Sequence, residues 1–428
     1  MRSERSPRAL RRTIRGGPRL VLVPMPRARS AAVFVHLRVG SRYESPKDNG
    51  ICHFLEHMLH RGTGNHPSAH AQALAFERLG ATLSAATYAD HGVLSVAVPP
   101  QSVDPVLALL AEVCRAPLFD AIDVERGIVR EEILESLDAN GRRTAPDDLL
   151  REVAFPEHPL GYPITGTLKT LARFDRALLR RCHRRHYTSD LVVTVAGRFT
   201  PSVVARTVAK GFRLPAGRVP RSRPPRPVTG PQVKHVRDAS SQTALRFGFR
   251  APGLKDTNEA AAELLLRVID DGTSTRLYHR LCDERGLCYD VSALYEAHED
   301  VGLFELAADC SHDNAIEVAE EIVSLCRELR DPGPRAEELD KARSRMGWQL
   351  ESMLDSPADL AAFHGFAELF GISPTPAARL AEFDRITPRA VRAAAQQVLR
   401  AERLSLLTVG TLSASESRKL ARVVAGLG

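Results

Sequence analysis

Two histidines four residues apart, with a glutamate directly before the second, lie in residues 52–59, CHFLEHML. On a helix, positions i and i+4 share one face, so His53 and His57 would direct their imidazoles at one point. Imidazole nitrogen is a common zinc ligand, at about 2 Å from the metal. Glu56 would lie beside that point and can take a proton from a water that zinc activates. The alternative is a helix that carries two histidines for other reasons.

A catalytic zinc needs a third protein ligand, with one position left open for water. The segment VERGIVREEILESLD predicts a helix with two carboxylates and two apolar residues on one stripe: Glu125, Ile128, Val129 and Glu132. Burial of an unpaired carboxylate is unfavourable, so zinc would be a partner for Glu132, and Glu125 could orient a ligand. The alternatives are a solvated helix face, pairing with arginines, or a role for the neighbouring Glu131 or Glu135.

Strand-like runs alternate with amphipathic stretches along the chain, among them AAVFVHLRV, HFLEHML, VLSVAVPP and DPVLALLAEVCRAPL. This alternation predicts an α+β fold. The clearest interruption is LPAGRVPRSRPPRPVTGPQ, residues 214–232, where Pro, Gly and Arg replace the apolar pattern. We interpret it as a linker between an N-terminal zinc-binding half, residues 1–213, and a C-terminal half, residues 233–428.

The two halves resemble each other, which indicates an internal repeat. HLRVGSRYESPKDNGICHFLEHML aligns with ALRFGFRAPGLKDTNEAAAELLLR at a constant offset that pairs Gly40 with Gly248. The closing strands LVVTVAGRF and LSLLTVGTL match as well. At that offset the polar residues of the first helix fall on apolar ones: His53 on Ala261, Glu56 on Leu264 and His57 on Leu265. The helix therefore does not need its polar residues in order to pack.

The composition is that of an ordinary globular protein of 428 residues, with 43% hydrophobic and 26% charged residues. A net charge of +7 is a weak indication of acidic partners, and we expect neither nucleic-acid nor membrane binding. No apolar run reaches the roughly 18 residues of a membrane helix. The arginine-rich N-terminus is interpreted as a short basic arm before the strand LVLVPMP. The 7 cysteines are scattered without a CxxC pair, so we expect a reducing compartment and a cytoplasmic protein.

Two further segments contain possible metal ligands. RRCHRRHY, from Arg180, is interpreted as a solvated basic helix face, because no second pair of ligands matches Cys182, His183 and His186. Cys52 would point away from the His53 face of its helix and is interpreted as a buried structural thiol.

The motif His-x-x-Glu-His, followed after about 75 residues by an ERxxxxxE helix, resembles the inverted-zincin metallopeptidases of the pitrilysin, insulysin and mitochondrial processing peptidase family. The segments RGTG, GATLSAATYADHGV, HPLGYPITGT, HYTSDLVVTVAGRF and ERGLCYDV extend the resemblance over nearly the whole chain. The length resembles the shorter, processing-peptidase-like branch. The resemblance implies two homologous α/β-sandwich halves, each with a mixed, mainly antiparallel sheet packed with helices.

The resemblance also implies roles for individual residues. His53, His57 and Glu132 would bind one zinc ion per chain, with Glu56 as general base and Glu125 as supporting carboxylate. The implied function is a zinc-dependent endopeptidase that cleaves unfolded peptides or leader segments in an enclosed chamber. The chamber implies a homodimer or a heterodimer with a related subunit. The alternative is an auxiliary, non-catalytic subunit of the same fold that completes a partner's chamber.

The chain departs from the family pattern at two places that concern the substrate. Along the expected edge strand, residues 80–87, the family commonly has Asn-Ala before an aromatic residue and Thr. This chain offers Ser84, Ala85 and Thr87 as substrate-binding residues. Family members also place an Arg seven residues before a Tyr that contacts the reaction intermediate. Tyr289 is present here, but the Arg position is Cys282.

A neutral thiol cannot replace a guanidinium, so the resemblance leaves three alternatives. Arg280 or Arg276 contacts the substrate instead, a partner chain supplies the cation, or catalysis is weaker. We take Arg280 as the substrate-binding candidate.

Overall fold

The structure is a computed structural model that describes residues 7–217, 220–372 and 375–428. Its strands form two sheets. In chain order the strands are β1 (Leu10–Thr13), β2 (Arg19–Pro24), β3 (Ala31–Leu37), β4 (Ser84–Thr87), β5 (Gly92–Val98), β6 (Val192–Gly197), β7 (Gln232–Arg237), β8 (Thr243–Ala251), β9 (Cys288–Ala297), β10 (Gly302–Cys310) and β11 (Leu404–Gly410).

Helices connect and cover the strands. In chain order they are α1 (Ile51–Leu59), α2 (Ala69–Glu77), α3 (Val103–Arg115), α4 (Ile122–Glu135), α5 (Pro146–Ala154), α6 (Leu168–Leu171), α7 (Arg176–His186), α8 (Pro201–Gly211), α9 (Glu259–Ile269), α10 (Arg276–Tyr278), α11 (Ala315–Arg330), α12 (Ala336–Ser352), α13 (Pro357–Phe370), α14 (Pro376–Asp384), α15 (Pro388–Val398) and α16 (Ala414–Ala425). A π-helical turn, His279–Glu284, follows α10. None of the helices in the described ranges has the length and apolar composition of a membrane span.

The two sheets have the same topology. The first has the strand order β1-β2-β6-β3-β5-β4 and the second β7-β11-β8-β10-β9. In each sheet one neighbouring pair is parallel, β2 with β6 and β7 with β11, and the other pairs are antiparallel. Apart from β1, each strand of the first sheet therefore has a counterpart in the second. The predicted fold, two homologous α/β halves with mixed, mainly antiparallel sheets, is confirmed.

Burial explains why the central strands were visible in the sequence and one edge strand was not. Every residue of β6 and β11 is buried, as expected for strands with both faces covered. In contrast, β1 exposes its last three residues. It pairs with β2 inside the segment that we predicted to be a basic arm. An exposed arginine-rich edge strand has no apolar alternation, so the pattern gave no signal for it.

The repeat is real, but one pairing inferred from the sequence is wrong. β3 pairs His36 with Val192, and β8 pairs Gly248 with Ser405, at equivalent places in the two sheets. Gly248 therefore corresponds to His36, whereas Gly40 lies beyond the end of β3 with a φ of +121°. The helices α1 and α9 do begin at the predicted offset. The connection from β3 to α1 is longer than that from β8 to α9. A single constant offset therefore cannot align both the strands and the helices of the two halves.

The chain forms two compact units, each from three segments. The first unit contains Met1–Glu135, Tyr162–Ser222 and Gln349–Arg379, and the second contains Ser136–Gly161, Arg223–Trp348 and Leu380–Gly428. In the first unit α13 packs on β3 and β6, and in the second unit α5 packs on β8 and β11. Each sheet is thus covered by a helix from the other half of the sequence. These bounds differ from the predicted halves, because a change in composition marks a linker but not the packing partner of a helix.

Candidate metal centre

The helix α1 starts at a glycine that is held by a buried carboxylate. Gly50 precedes the helix with φ 91°, a left-handed conformation that suits glycine. Glu44 accepts hydrogen bonds from the backbone N–H groups of Gly50 and Cys52, each at 2.8 Å. The first N–H groups of a helix lack partners within it and favour a negative charge nearby. Glu44 therefore fixes the start of α1 immediately before the first histidine.

Three side chains of the first unit converge on one point. His53 and His57 on α1 and Glu132 on α4 bring their ligand atoms together, and α1 packs directly against α4. The Nε2 atoms of the two histidines are 3.3 Å apart. The Glu132 carboxylate oxygens lie 3.4 Å from Nε2 of His53 and 3.6 Å from Nε2 of His57. Four ligands around zinc at about 2.0–2.1 Å are separated by about 3.3 Å. The spacing of this triangle of residues is therefore compatible with zinc ligation, with each histidine facing a different oxygen of Glu132.

The electrostatics of the site favour a neutral His53 and a positive charge beside His57. Burial, together with the charge of His57, lowers the pKa of His53 to about 3, so its imidazole is neutral at neutral pH. Burial alone would lower the pKa of His57, but the hydrogen bond and charge of Glu125 raise it above its usual value. Burial also raises the pKa of Glu132, which stays partly exposed. A divalent cation would compensate the negative charge that Glu125 and Glu132 bring to this place.

A buried ion pair orients His57. Nδ1 of His57 lies 2.8 Å from Glu125, whose side chain is 4% exposed. With Nδ1–H donated to the carboxylate, Nε2 keeps its lone pair for a metal. Arg61 donates a hydrogen bond to the other oxygen of Glu125. Sequence reasoning proposed Glu125 but missed Arg61, which lies just beyond the end of α1 and four residues after His57.

The glutamate between the histidines is held by a hydroxyl group of the neighbouring edge strand. Thr87 on β4 donates a hydrogen bond of 2.5 Å to Oε2 of Glu56. Burial raises the pKa of Glu56, while this hydrogen bond and the charge of His57 act in the opposite direction. A carboxylate whose basicity is increased by burial suits a general base. The Thr87 side chain, proposed for substrate binding, is thus engaged with Glu56.

The stripe predicted on α4 is correct in part. Glu125 and Val129 are buried, but Ile128 is 46% exposed, so the apolar stripe is narrower than expected. Glu131 is an exposed side chain paired with Arg130. The metal-binding group formed by the described residues on this helix includes Glu132 and neither of its acidic neighbours.

The proposed substrate strand is an edge strand. β4 is the last strand of the first sheet and pairs with β5 from Ser84–Ser95 to Thr87–Gly92. It contacts α1, which carries the histidines. Ser84 is exposed and Ala85 is half-buried, so small side chains line this edge. An extended peptide can add to such an edge through backbone hydrogen bonds.

The remaining proposed site residues belong to the second unit. Tyr289 on β9 is 92% exposed. Arg280 donates two hydrogen bonds to Glu328, and Arg276 donates two to Glu338. Both guanidinium groups are therefore already paired within their own unit. Burial raises the pKa of the Cys282 thiol to about 11, so this residue is neutral at physiological pH.

Comparison with known proteins finds matches to one peptidase family over most of the chain. Residues 19–168 match the family described as insulinase (peptidase family M16), and residues 173–346 match the peptidase M16 inactive domain. A Bacillus subtilis protein named uncharacterized zinc protease YmxG is 30% identical over 368 residues, which is 84% of this chain and 88% of that protein. A Streptomyces coelicolor protein also named an uncharacterized zinc protease is 29% identical over 97% of this chain and 92% of its own length.

Solved structures agree in fold. A protease from Helicobacter pylori superposes with a TM-score of 0.87 at 21% identity, covering 95% of this chain and 100% of that one. A peptidase M16 inactive domain from Pseudomonas fluorescens gives a TM-score of 0.86 at 20% identity, covering 95% and 99%. The resemblance drawn from the motifs is confirmed, and the chain belongs to the insulinase family of peptidases, peptidase family M16.

Proposed function

We propose that the protein is a zinc-dependent endopeptidase that cleaves unfolded peptides or leader segments, with one zinc ion per chain. The observation that carries the proposal is the convergence of His53, His57 and Glu132. The two Nε2 atoms lie 3.3 Å apart, and they lie 3.4 and 3.6 Å from the two oxygens of Glu132, spacings compatible with zinc ligation. The names of the relatives, zinc proteases, support the choice of metal.

Each residue around the triangle has a role in the proposed reaction. Zinc held there would supply Lewis acidity, which makes water more acidic and polarises a peptide carbonyl. Glu56 takes the proton of the attacking water and later delivers it to the leaving amine. Thr87 holds one oxygen of Glu56 and leaves the other free for this transfer. Glu125, itself held by Arg61, keeps the ring of His57 in place.

The substrate would bind as an added strand along β4. Backbone hydrogen bonds select an extended conformation rather than a sequence, which suits unfolded segments. Ser84 and Ala85 offer no large side chain that would exclude bulky substrate residues. Tyr289 is exposed and accessible to a peptide, and we propose it as a contact of the reacting carbonyl. Arg280 would have to leave Glu328 in order to bind substrate. We further propose that a homodimer, or a heterodimer with a related subunit, encloses the substrate in a chamber.

A second candidate function is an auxiliary subunit of the same fold. The neutral Cys282 favours it, because each lost oxyanion donor lowers the rate by about 10²- to 10³-fold. The match of residues 173–346 to the peptidase M16 inactive domain also favours it. The polar residues of α1 favour the enzyme, because an auxiliary subunit has no need of Glu56 beside two histidines.

A digest of a peptide library separates the two functions. The purified chain is incubated with the library as isolated, after zinc removal and after zinc is restored, and the cleavage sites are identified by mass spectrometry. We expect cleavage that depends on zinc. The variant Glu56→Gln should keep its zinc and lose about 10²- to 10⁴-fold in rate. Cleavage by Glu56→Gln at the parent rate would refute the mechanism, and no cleavage by the parent would favour the auxiliary subunit.

A further inference from the structure

A second group of metal-ligand side chains lies beside the first. Cys52, Cys182 and His186 bring one ligand atom each within 4.8 Å of one another, and all three residues are buried. Cys52 lies in the first turn of α1, and the other two lie on α7, which packs against α1. Cys182 and His186 are four residues apart and so share one helix face. The predicted solvated face of α7 holds for its arginines, but Cys182 and His186 point to the interior.

The imidazole of this group is oriented as a metal ligand would be. Nδ1 of His186 lies 2.8 Å from the backbone carbonyl oxygen of Arg38, which can only accept a hydrogen bond. Nδ1 therefore carries the hydrogen, and Nε2 keeps its lone pair. A histidine ligand commonly donates its second ring N–H to a carbonyl or carboxylate in this way. The arrangement parallels that of His57 with Glu125.

We propose that Cys52, Cys182 and His186 form a second metal site, which holds a thiophilic closed-shell cation, Zn²⁺ or Cu⁺. Thiolate and imidazole are the ligands that these two cations prefer. Binding would release one proton from each thiol. Two thiolates then balance the charge of Zn²⁺, and the buried site is left without net charge.

The site would have a structural role. All three donor residues are buried, which favours a structural ion over one that binds a substrate. Cys52 directly precedes His53, and a cation at the second site links the first turn of α1 to α7. It would therefore fix the helix from which two of the proposed catalytic zinc ligands project.

X-ray absorption spectroscopy with metal analysis tests this site separately from the proposed catalytic one. The catalytic triangle offers only nitrogen and oxygen donors, so sulfur at about 2.3 Å from a metal reports the second site alone. The full-length protein as isolated should contain about two metal ions per chain and show sulfur ligation. The variant His57→Ala should lose one ion and keep the sulfur signal. The element at whose absorption edge sulfur appears distinguishes Zn²⁺ from Cu⁺.

The matched variants are Cys182→Ala and Cys114→Ala. Both cysteines are buried in helices of the first unit, but Cys114 is not part of a described metal-binding group. Cys182→Ala should lose the sulfur signal and one ion, and Cys114→Ala should lose neither. The spectrum of the parent protein is decisive if a variant fails to fold. A parent protein without sulfur ligation refutes the proposal. An intact mass about 2 Da lower, from a Cys52–Cys182 disulfide, also refutes it.

Discussion

The helices α1 and α9 occupy equivalent places in the two units, since each follows the strand at the same position of its sheet. Where α1 has His53, Glu56 and His57, α9 has Ala261, Leu264 and Leu265. The three α9 residues are buried and apolar, and they pack without a polar partner. The comparison shows that the fold does not require polar residues here. In α1 the buried polar atoms oppose folding unless they are paired, so another function must retain them.

The largest expected effect comes from giving α1 a residue of α9. His57→Leu introduces the leucine that stands at the counterpart position, Leu265. We expect loss of the catalytic zinc and of cleavage, because only His53 and Glu132 remain as protein ligands. The metal-free variant should differ little in unfolding temperature from the metal-free parent. An apolar side chain replaces a polar ring, which favours folding, but the buried Glu125 loses one partner and keeps only Arg61.

Metal analysis, the peptide digest and thermal unfolding after chelation measure these effects. His60→Leu is the matched control, because His60 caps the end of α1 outside the metal-binding group. It should keep zinc and activity. A His57→Leu protein that retained zinc-dependent cleavage would show that the difference between α1 and α9 does not lie in metal binding.

The next effect concerns Arg61, which pairs with the buried Glu125 that orients His57. Arg61→Met leaves Glu125 buried without its cation, so the carboxylate is less firmly placed against His57. We expect zinc affinity to fall by about 10- to 100-fold, as for other residues that orient a metal ligand. Competition with a chromogenic chelator measures the affinity. Arg130→Met, which removes an exposed arginine from α4, should leave the affinity unchanged.

A third comparison concerns the side chains at which each sheet contacts the helix that covers it. In the first unit the strand offers His36 and the helix α13 offers Gly365; in the second the strand offers Gly248 and the helix α5 offers Leu150. A Cβ at Gly365 would lie 2.2 Å from the His36 ring, whereas one at Gly248 would lie 2.9 Å from a terminal carbon of Leu150. In the first unit the large residue lies on the strand and the glycine on the helix, and in the second unit the positions are reversed.

We therefore expect Gly365→Ala to lower the free energy of unfolding by about 1–3 kcal/mol, since the stiff buried ring cannot move aside. This outweighs the gain of about 1 kcal/mol in helix propensity. Gly248→Ala should have a smaller effect, because the leucine can change rotamer. Denaturant unfolding of both variants makes the comparison, and equal effects would contradict it.

The smallest effect is a pH dependence confined to one unit. Burial, with the charge of His91, lowers the pKa of His36 from 6.5 to about 3. Below pH 6.5 the unfolded chain binds a proton here and the folded chain does not, so stability falls as the pH falls towards 3. The counterpart Gly248 cannot titrate. His36→Gln should flatten this decline by about 1 kcal/mol per pH unit, measured by urea unfolding between pH 6.5 and pH 5. An unchanged slope would refute the assignment.

The sequence was sufficient to predict the site where the spacing of residues along one helix determines which side chains share a face. Four-residue spacing places His53 and His57 on one face, and the seven-residue spacing of Glu125 and Glu132 does the same on α4. The alternation of strands and helices, with the repeat, predicted the fold class correctly. Glu132 could be proposed only because a distance along the chain resembles that of the family.

Contacts between distant segments could not be predicted in this way. Thr87 was expected to bind substrate, and its hydrogen bond to Glu56 joins β4 to α1. Cys52 and Cys182 each looked isolated in the sequence, because 130 positions separate residues that lie side by side. The sequence did show a basic face on α7, but helix periodicity alone did not reveal what its other face contacts.

Each sheet is covered by a helix from the other half of the sequence, α13 for the first and α5 for the second. This arrangement determines when each sheet can be covered during translation. Proteins leave the ribosome from the N-terminus and generally fold domain by domain as they emerge. The first sheet is complete once β6 is made, but the face of β3 that carries His36 stays uncovered until Pro357–Phe370 has been translated. The helix α5, by contrast, is made before any strand of the second sheet. A nascent chain thus leaves this apolar face of the first sheet open to non-native contacts from the completion of β6 until α13 has been made.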